Sequence, residues 1–122
     1  MVDVETVRRL ALSIPGAVDA SSPTRLVFEV GGKGKGFAWT YLVRENPKKP
    51  RVPKIDILAV RCPIDRKELL IEAAPDRFFV DDHYRGYTGV LIRLGAVDED
   101  ELAGLLRDAA AMVAALKPKR KR

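Results

Sequence analysis

Residues 26–43 read LVFEVGGKGKGFAWTYLV, two runs of strand-forming residues on either side of a glycine-rich turn. In the first run Leu26, Phe28 and Val30 alternate with their neighbours at the period of a half-buried strand. The second run, residues 37–43, is rich in aromatic and β-branched residues. The stretch therefore predicts an antiparallel hairpin that turns at residues 31–36.

A basic segment with three prolines follows the hairpin, over residues 45–54. Proline lacks a backbone donor and favours extended geometry in the residue before it. We therefore expect a loop that projects into solvent, and neither a helix nor a central strand. A third strand is predicted over residues 55–60, and Cys62-Pro63 ends it.

Three segments have helical signals. Apolar residues at helical spacing predict a first helix over about residues 4–14, capped by Asp3 and ended by Pro15-Gly16. A capping-box-like start at Asp65 and Glu68 predicts a second helix, which carries Leu69, Leu70 and Ala73 and stops at Pro75. A third begins at Asp98 and Glu101, ends at Lys117-Pro118 and has an apolar face of Leu102, Leu105, Leu106, Ala109, Met112, Val113 and Leu116.

The remaining segments complete the predicted fold. Residues 17–24 are expected to be a loop, residues 78–80 a short buried strand, residues 81–89 a loop and residues 90–94 a further strand. The order α-βββ-α-ββ-α, with hairpin connections, indicates an α+β domain in which helices pack on one face of an antiparallel sheet. We expect a single domain over residues 1–116, followed by a basic tail at residues 117–122.

Composition limits the setting in which the chain acts. The one cysteine allows no intrachain disulfide, and the N-terminus has acidic residues where a signal peptide would be basic. No apolar run approaches the roughly 18 residues needed to cross a bilayer. A cytoplasmic protein that does not span membranes is expected.

Positive charge is concentrated in the middle of the chain. The tail supplies five basic residues, so the net charge of +5 leaves residues 1–116 neutral, with 17 basic and 17 acidic side chains. Residues 25–61 hold nine basic and three acidic side chains, a balance of +6, whereas residues 65–108 balance at −5. An anionic partner responds to such a local field. The phosphate-contacting candidates are Lys33, Lys35, Lys48, Lys49, Arg51 and Lys54.

Motifs for catalysis, cofactors or metals are missing. Gly34-Lys35 is followed by Gly36 and a strand, whereas a phosphate-binding loop needs Ser or Thr and then a helix. His83 is the only histidine, and with one cysteine the chain lacks the soft ligands of a zinc site. Cys62 is expected to pack as a small apolar residue, although the sequence leaves a pairing with His83 open. We expect no enzyme, no cofactor and no metal.

The segment from Phe78 to Leu94 is the most distinctive, and it reads FFVDDHYRGYTGVLIRL. It resembles the MmcQ/YjbR family of small bacterial proteins, in which a His-Tyr-Arg-Gly-Tyr-like loop leads into a strand and a terminal amphipathic helix. The segments at residues 12–16, 28–30 and 36–39 are similar to the same family. The resemblance covers nearly the whole chain and implies an α+β fold with a double-wing motif and DNA binding.

Two interpretations of the aromatic loop remain open. Tyr84, Arg85 and Tyr87 alternate a cation with rings that can stack on bases. Alternatively, both tyrosines fill the edge of the core. The leading hypothesis is a DNA-binding module whose basic loops contact phosphates, with these three residues beside them. The second is a protein- or small-ligand-binding module with a pocket at Trp39, His83, Tyr84, Arg85 and Tyr87. The sequence leaves the oligomeric state undetermined.

Overall fold

The computed structural model describes residues 2–30, 35–43 and 47–115. The elements follow the order α1 (Val4–Leu12), β1 (Ala17–Asp19), β2 (Val27–Val30), β3 (Gly36–Val43), β4 (Val52–Arg61), α2 (Ile64–Ala73), β5 (Phe78–Phe79), β6 (Gly89–Arg93) and α3 (Glu99–Ala114). All pairs in the sheet are antiparallel, and the strands lie in the order β1-β2-β3-β4-β6-β5. The predicted α+β fold is confirmed.

The main core lies between the sheet and helices α1 and α3. Cross-strand partners on this face form a continuous apolar row of Phe28, Ala38, Val60 and Val90. Both helices begin as predicted, since Asp3 accepts a hydrogen bond from the Thr6 amide and Asp98 from that of Glu101. The predicted apolar face of α3 is buried at Leu102, Leu105, Leu106, Ala109 and Val113.

Residues 17–19 form a strand, so the predicted loop over residues 17–24 is wrong at its start. The chain turns sharply at Gly16, whose φ of 83° suits glycine. Ala17 then pairs with Val30 and Asp19 with Phe28. The local pattern of these three residues is too short to indicate a strand, and pairing with β2 forms it.

The proline-rich segment also extends the sheet. Strand β4 begins at Val52, three residues earlier than predicted, and Pro53 pairs with Leu42 of β3. The expectation of a loop up to residue 54 is therefore wrong for residues 52–54. Pro53 is tolerated because β6 pairs with β4 only from Ile57 onward, so residues 52–54 have a neighbour on one side alone.

Helix α2 begins and packs differently from the prediction. Its N-cap is Pro63 without a side-chain cap, and the Asp65 carboxylate accepts from the neighbouring Arg66 amide, so the expected capping box is wrong. Leu69 is 67% exposed, whereas Lys67 is 2% exposed. The helix lies against β5 and β6.

The other elements agree with the prediction to within a few residues. Phe78 is buried in β5, and the β2–β3 hairpin pairs as expected. The turn residues 31–34, Leu116 and the predicted tail at residues 117–122 lie outside the described residues. In the described part of the chain, no helix has both the length and the apolar character to cross a bilayer.

Candidate nucleic-acid interface

The face of the sheet opposite the helices, here called the outer face, carries a second apolar cluster. Cross-strand partners run from Val27 through Trp39, Ala59 and Leu91 to Phe79. The buried members of the cluster are Tyr41, Ile57, Ala59, Tyr84 and Leu91. The outer face is therefore rich in rings that carry polar groups, in contrast to the mainly aliphatic and phenyl side chains beneath the helices.

Residues 81–88, here called the outer loop, cover part of this face. Tyr84 is 8% exposed and packs edge-on against Tyr41, with ring centroids 6.0 Å apart. Its hydroxyl accepts a hydrogen bond from Trp39 Nε1 at 2.9 Å, and its amide donates to the Asp81 carboxylate. The sequence-based interpretation that tyrosines fill the edge of the core is thus right for Tyr84.

A buried lysine of helix α2 also holds the outer loop. The Lys67 ammonium group donates to the carbonyl oxygens of Tyr84, Arg85 and Tyr87 at 2.9, 3.2 and 2.5 Å. These three bonds use all its protons. Burial lowers the pKa of Lys67. Sequence reasoning missed this residue. Its position is three residues before Leu70 and four before Ile71, which are both partly buried, so Lys67 lies on the inward side of α2.

Tyr41 ties the outer loop to strand β3. Its hydroxyl donates to the Asp81 carboxylate. Burial, together with this hydrogen bond, raises the pKa of Tyr41 to about 12. The bond also engages the carboxylate, which lines a depression next to the pocket described below.

Tyr87 is the exposed ring of the outer loop, with 37% of its surface accessible. A Cβ on Gly89 would lie 3.0 Å from this ring, so glycine permits the close approach. The Arg61 guanidinium lies 5.6 Å from the Tyr87 centroid and 5.7 Å from that of Trp39. Arg61 also donates to the Gly36 carbonyl. Tyr87 is thereby supported from the sheet beneath it.

Beside these rings lies a pocket of about 270 Å³. It is lined by Leu42 and by side chains with aromatic rings or guanidinium groups: Trp39, Tyr84, Tyr87, His83, Arg25 and Arg51. Within the described ranges, neither Arg25 nor Arg51 pairs with a carboxylate. The buried Arg25 Nε has no hydrogen-bond acceptor among those residues. The pocket therefore combines aromatic walls with two guanidinium groups that pair with no carboxylate of the described residues.

Four of the predicted phosphate-contacting residues lie on one exposed segment. Lys48, Lys49, Arg51 and Lys54 are all exposed, on the β3–β4 connection and the start of β4, and Arg51 reaches the pocket. Lys54 lies 4.0 Å from Asp56.

Two further candidates lie away from the pocket, and one lies outside the described residues. Arg85 does not line the pocket; it is exposed and pairs with Asp82 at 2.7 Å. Lys35 is exposed just before β3, and Lys33 lies outside the described residues. Arg25 was missed as a contact, because no local pattern distinguishes it, although it opens the basic segment.

Cys62 and His83 occupy different surroundings. Cys62 is 3% exposed and belongs to the main core, where burial raises the pKa of its thiol. His83 is exposed and packs edge-on against Tyr84. In residues 2–30, 35–43 and 47–115, no three His, Cys, Asp or Glu side chains gather as potential metal ligands.

Comparison with known proteins agrees with this architecture. A search among curated proteins found no match. The crystal structure of Deinococcus radiodurans protein DR2400, which contains a DUF419 domain, is similar with a TM-score of 0.69 and 25% sequence identity. The alignment covers 94% of this chain and 80% of that one. The YjbR family model matches residues 12–109. The chain belongs to the YjbR family.

Proposed function

We propose that this chain is a non-enzymatic, cytoplasmic module that binds nucleic acid, most directly the phosphate backbone of DNA. One observation carries the proposal: Arg25 and Arg51, without a carboxylate partner in the described ranges, share a pocket with aromatic rings. Guanidinium groups pair well with phosphates, and rings offer faces to bases.

The surroundings of the pocket support the same function. Lys48, Lys49 and Lys54 are exposed close to Arg51 along the chain. They belong to the segment whose charge balance is +6. Such a field attracts a polyanion and aligns it before specific contacts form. The double-wing arrangement implied by the resemblance is part of the proposal, with the β3–β4 hairpin as one wing.

A salt titration of DNA binding tests the proposal. Fluorescence anisotropy of labelled duplex and single-stranded DNA would be followed with the full chain. The logarithm of affinity should fall with the logarithm of salt concentration by about 0.9 per phosphate contact on duplex and less on single strands. Absence of binding to either DNA at low salt would refute the proposal.

Two variants locate the binding surface. Lys48→Glu with Lys49→Glu should weaken binding and flatten the salt slope, whereas the matched charge reversal Arg9→Glu with Arg107→Glu, on helices α1 and α3, should weaken it less. A chain ending at Leu116 should retain most of the affinity. Binding that disappears with the tail would reduce the activity to generic attraction between a polycation and DNA.

The pocket also supports a second candidate function. Its volume of about 270 Å³ and its mixture of rings and donors suit a small anionic ligand or an acidic peptide side chain. In that case the basic loops serve solubility alone. Unchanged DNA affinity in the Lys48→Glu, Lys49→Glu variant would favour this function over the first.

A further inference from the structure

We propose that the pocket binds one unpaired nucleotide, so that single-stranded nucleic acid is preferred to duplex. The inference rests on the proposed function and adds that the nucleic acid is bound as a single strand. In this arrangement Arg25 and Arg51 hold the phosphate, and the base lies on the exposed side of Tyr87. Contacts in the pocket and around Tyr87 support this arrangement.

Two residues that line the pocket carry polar groups without an acceptor among the described residues. Arg25 Nε is buried without an acceptor among the described residues, which is costly for a polar group. The Tyr84 hydroxyl accepts from Trp39 Nε1, and none of the described residues accepts its proton. Asp81, in the adjoining depression, already accepts from the Tyr41 hydroxyl and the Tyr84 amide. A phosphate in the pocket would supply acceptors to the guanidinium groups of Arg25 and Arg51 and to the Tyr84 hydroxyl.

Tyr87 provides a supported surface for a base. Gly89 of β6 and Arg61 of β4 lie close to the ring, and 37% of Tyr87 stays accessible, so we place the base on this accessible part. Trp39 meets the same ring edge-on at 6.2 Å. Tyr84 is not a second stacking surface, because only 8% of it is accessible. The site therefore offers one principal platform, suited to one base.

The shape of the site favours an unpaired base. In a duplex the faces of the bases are covered by stacking, and proteins read the base edges with an element that enters a groove. The pocket is instead a depression beside a ring, and a base face reaches it only when the nucleotide has left the stack. Its volume of about 270 Å³ is at the low end for ligand pockets, which suits one nucleotide.

Anisotropy with the full chain tests this preference, using labelled oligothymidylate and a duplex of equal length. We expect tighter binding of the single strand. Tyr87→Ala should weaken single-strand binding by about tenfold, close to the cost of one lost stacking contact, and should change duplex binding little. The double variant Arg25→Gln, Arg51→Gln should weaken single-strand binding more than the matched pair Arg93→Gln, Arg107→Gln.

The outcomes separate the two proposals. Trp39 is the only tryptophan, so its emission should change when oligothymidylate binds. Tyr87→Leu and Tyr87→Phe provide variants if the alanine variant unfolds, and only the phenylalanine variant should keep the affinity. Duplex binding equal to or tighter than single-strand binding, or single-strand affinity insensitive to Tyr87, would overturn the inference and leave the proposed function standing. Failure to bind either DNA would overturn both.

Discussion

The two faces of the sheet are covered in different ways. Two helices bury one face with aliphatic and phenyl side chains, of which Phe28, Leu106 and Val113 are fully buried. The other face is covered by the outer loop, whose contacts are hydrogen bonds and ring edges. Apolar side chains of this kind pack densely. Hydrogen bonds and ring edges instead hold the outer loop, which borders the pocket of about 270 Å³. We therefore expect the helix-covered face to contribute most of the stability, and we propose the outer face as the binding surface.

The largest expected effect tests the helix-covered face. Phe28→Ala removes a fully buried ring and should cost about 3–5 kcal/mol of stability. Tyr87→Ala, on the outer face, should cost less than about 1 kcal/mol, because its ring is already partly in water. Urea unfolding of both variants measures the difference. Equal losses would contradict the division of roles between the faces.

The next effect tests how the outer loop is held. Lys67→Met keeps the aliphatic stem but leaves three carbonyl groups without their ammonium donor. We expect a loss of about 1.5–3 kcal/mol and faster amide exchange in residues 81–88 than in helix α3. Glu68→Gln, on the exposed side of the same helix, is the control. Unchanged exchange in the loop would show that other contacts hold it.

A smaller effect concerns the bond between Tyr84 and Trp39. Tyr84→Phe removes the acceptor of the Trp39 Nε1 proton and should cost about 0.5–1.5 kcal/mol. The emission of Trp39 should shift, since the indole loses its partner. Tyr87→Phe, which keeps the bond, should leave the emission close to that of the unmodified chain. An unshifted emission in Tyr84→Phe would mean that the bond does not persist in solution.

The last prediction concerns a pH dependence on the outer face. The pKa of Tyr41 is about 12 in the folded chain and near its ordinary value of 10.0 in the unfolded chain. Between these values the folded state keeps a proton that the unfolded state has lost, so stability falls as pH rises. The free energy of unfolding should therefore drop less over this window in Tyr41→Phe. Parallel pH profiles would contradict the assignment.

Local patterns predicted the elements that carry a repeating signal. Asp3 and Asp98 were recognisable as caps, and alternation marked β2 and β3, because these features depend on neighbours in sequence. Strand β1 and the start of β4 were missed, because both depend on pairing with a distant strand. Lys67 was missed for a related reason, because α2 turns this lysine inward to meet the outer loop.

The candidate site shows the same division. The basic segment and the ring-rich loop are visible in sequence as separate features, and their residue types alone indicate affinity for a polyanion. Only tertiary structure brings Arg25 and Arg51 into one pocket with Trp39, and only it buries Tyr84 while leaving Tyr87 exposed. These relations join residues far apart in the chain, so they follow from strand register and packing and not from local preference.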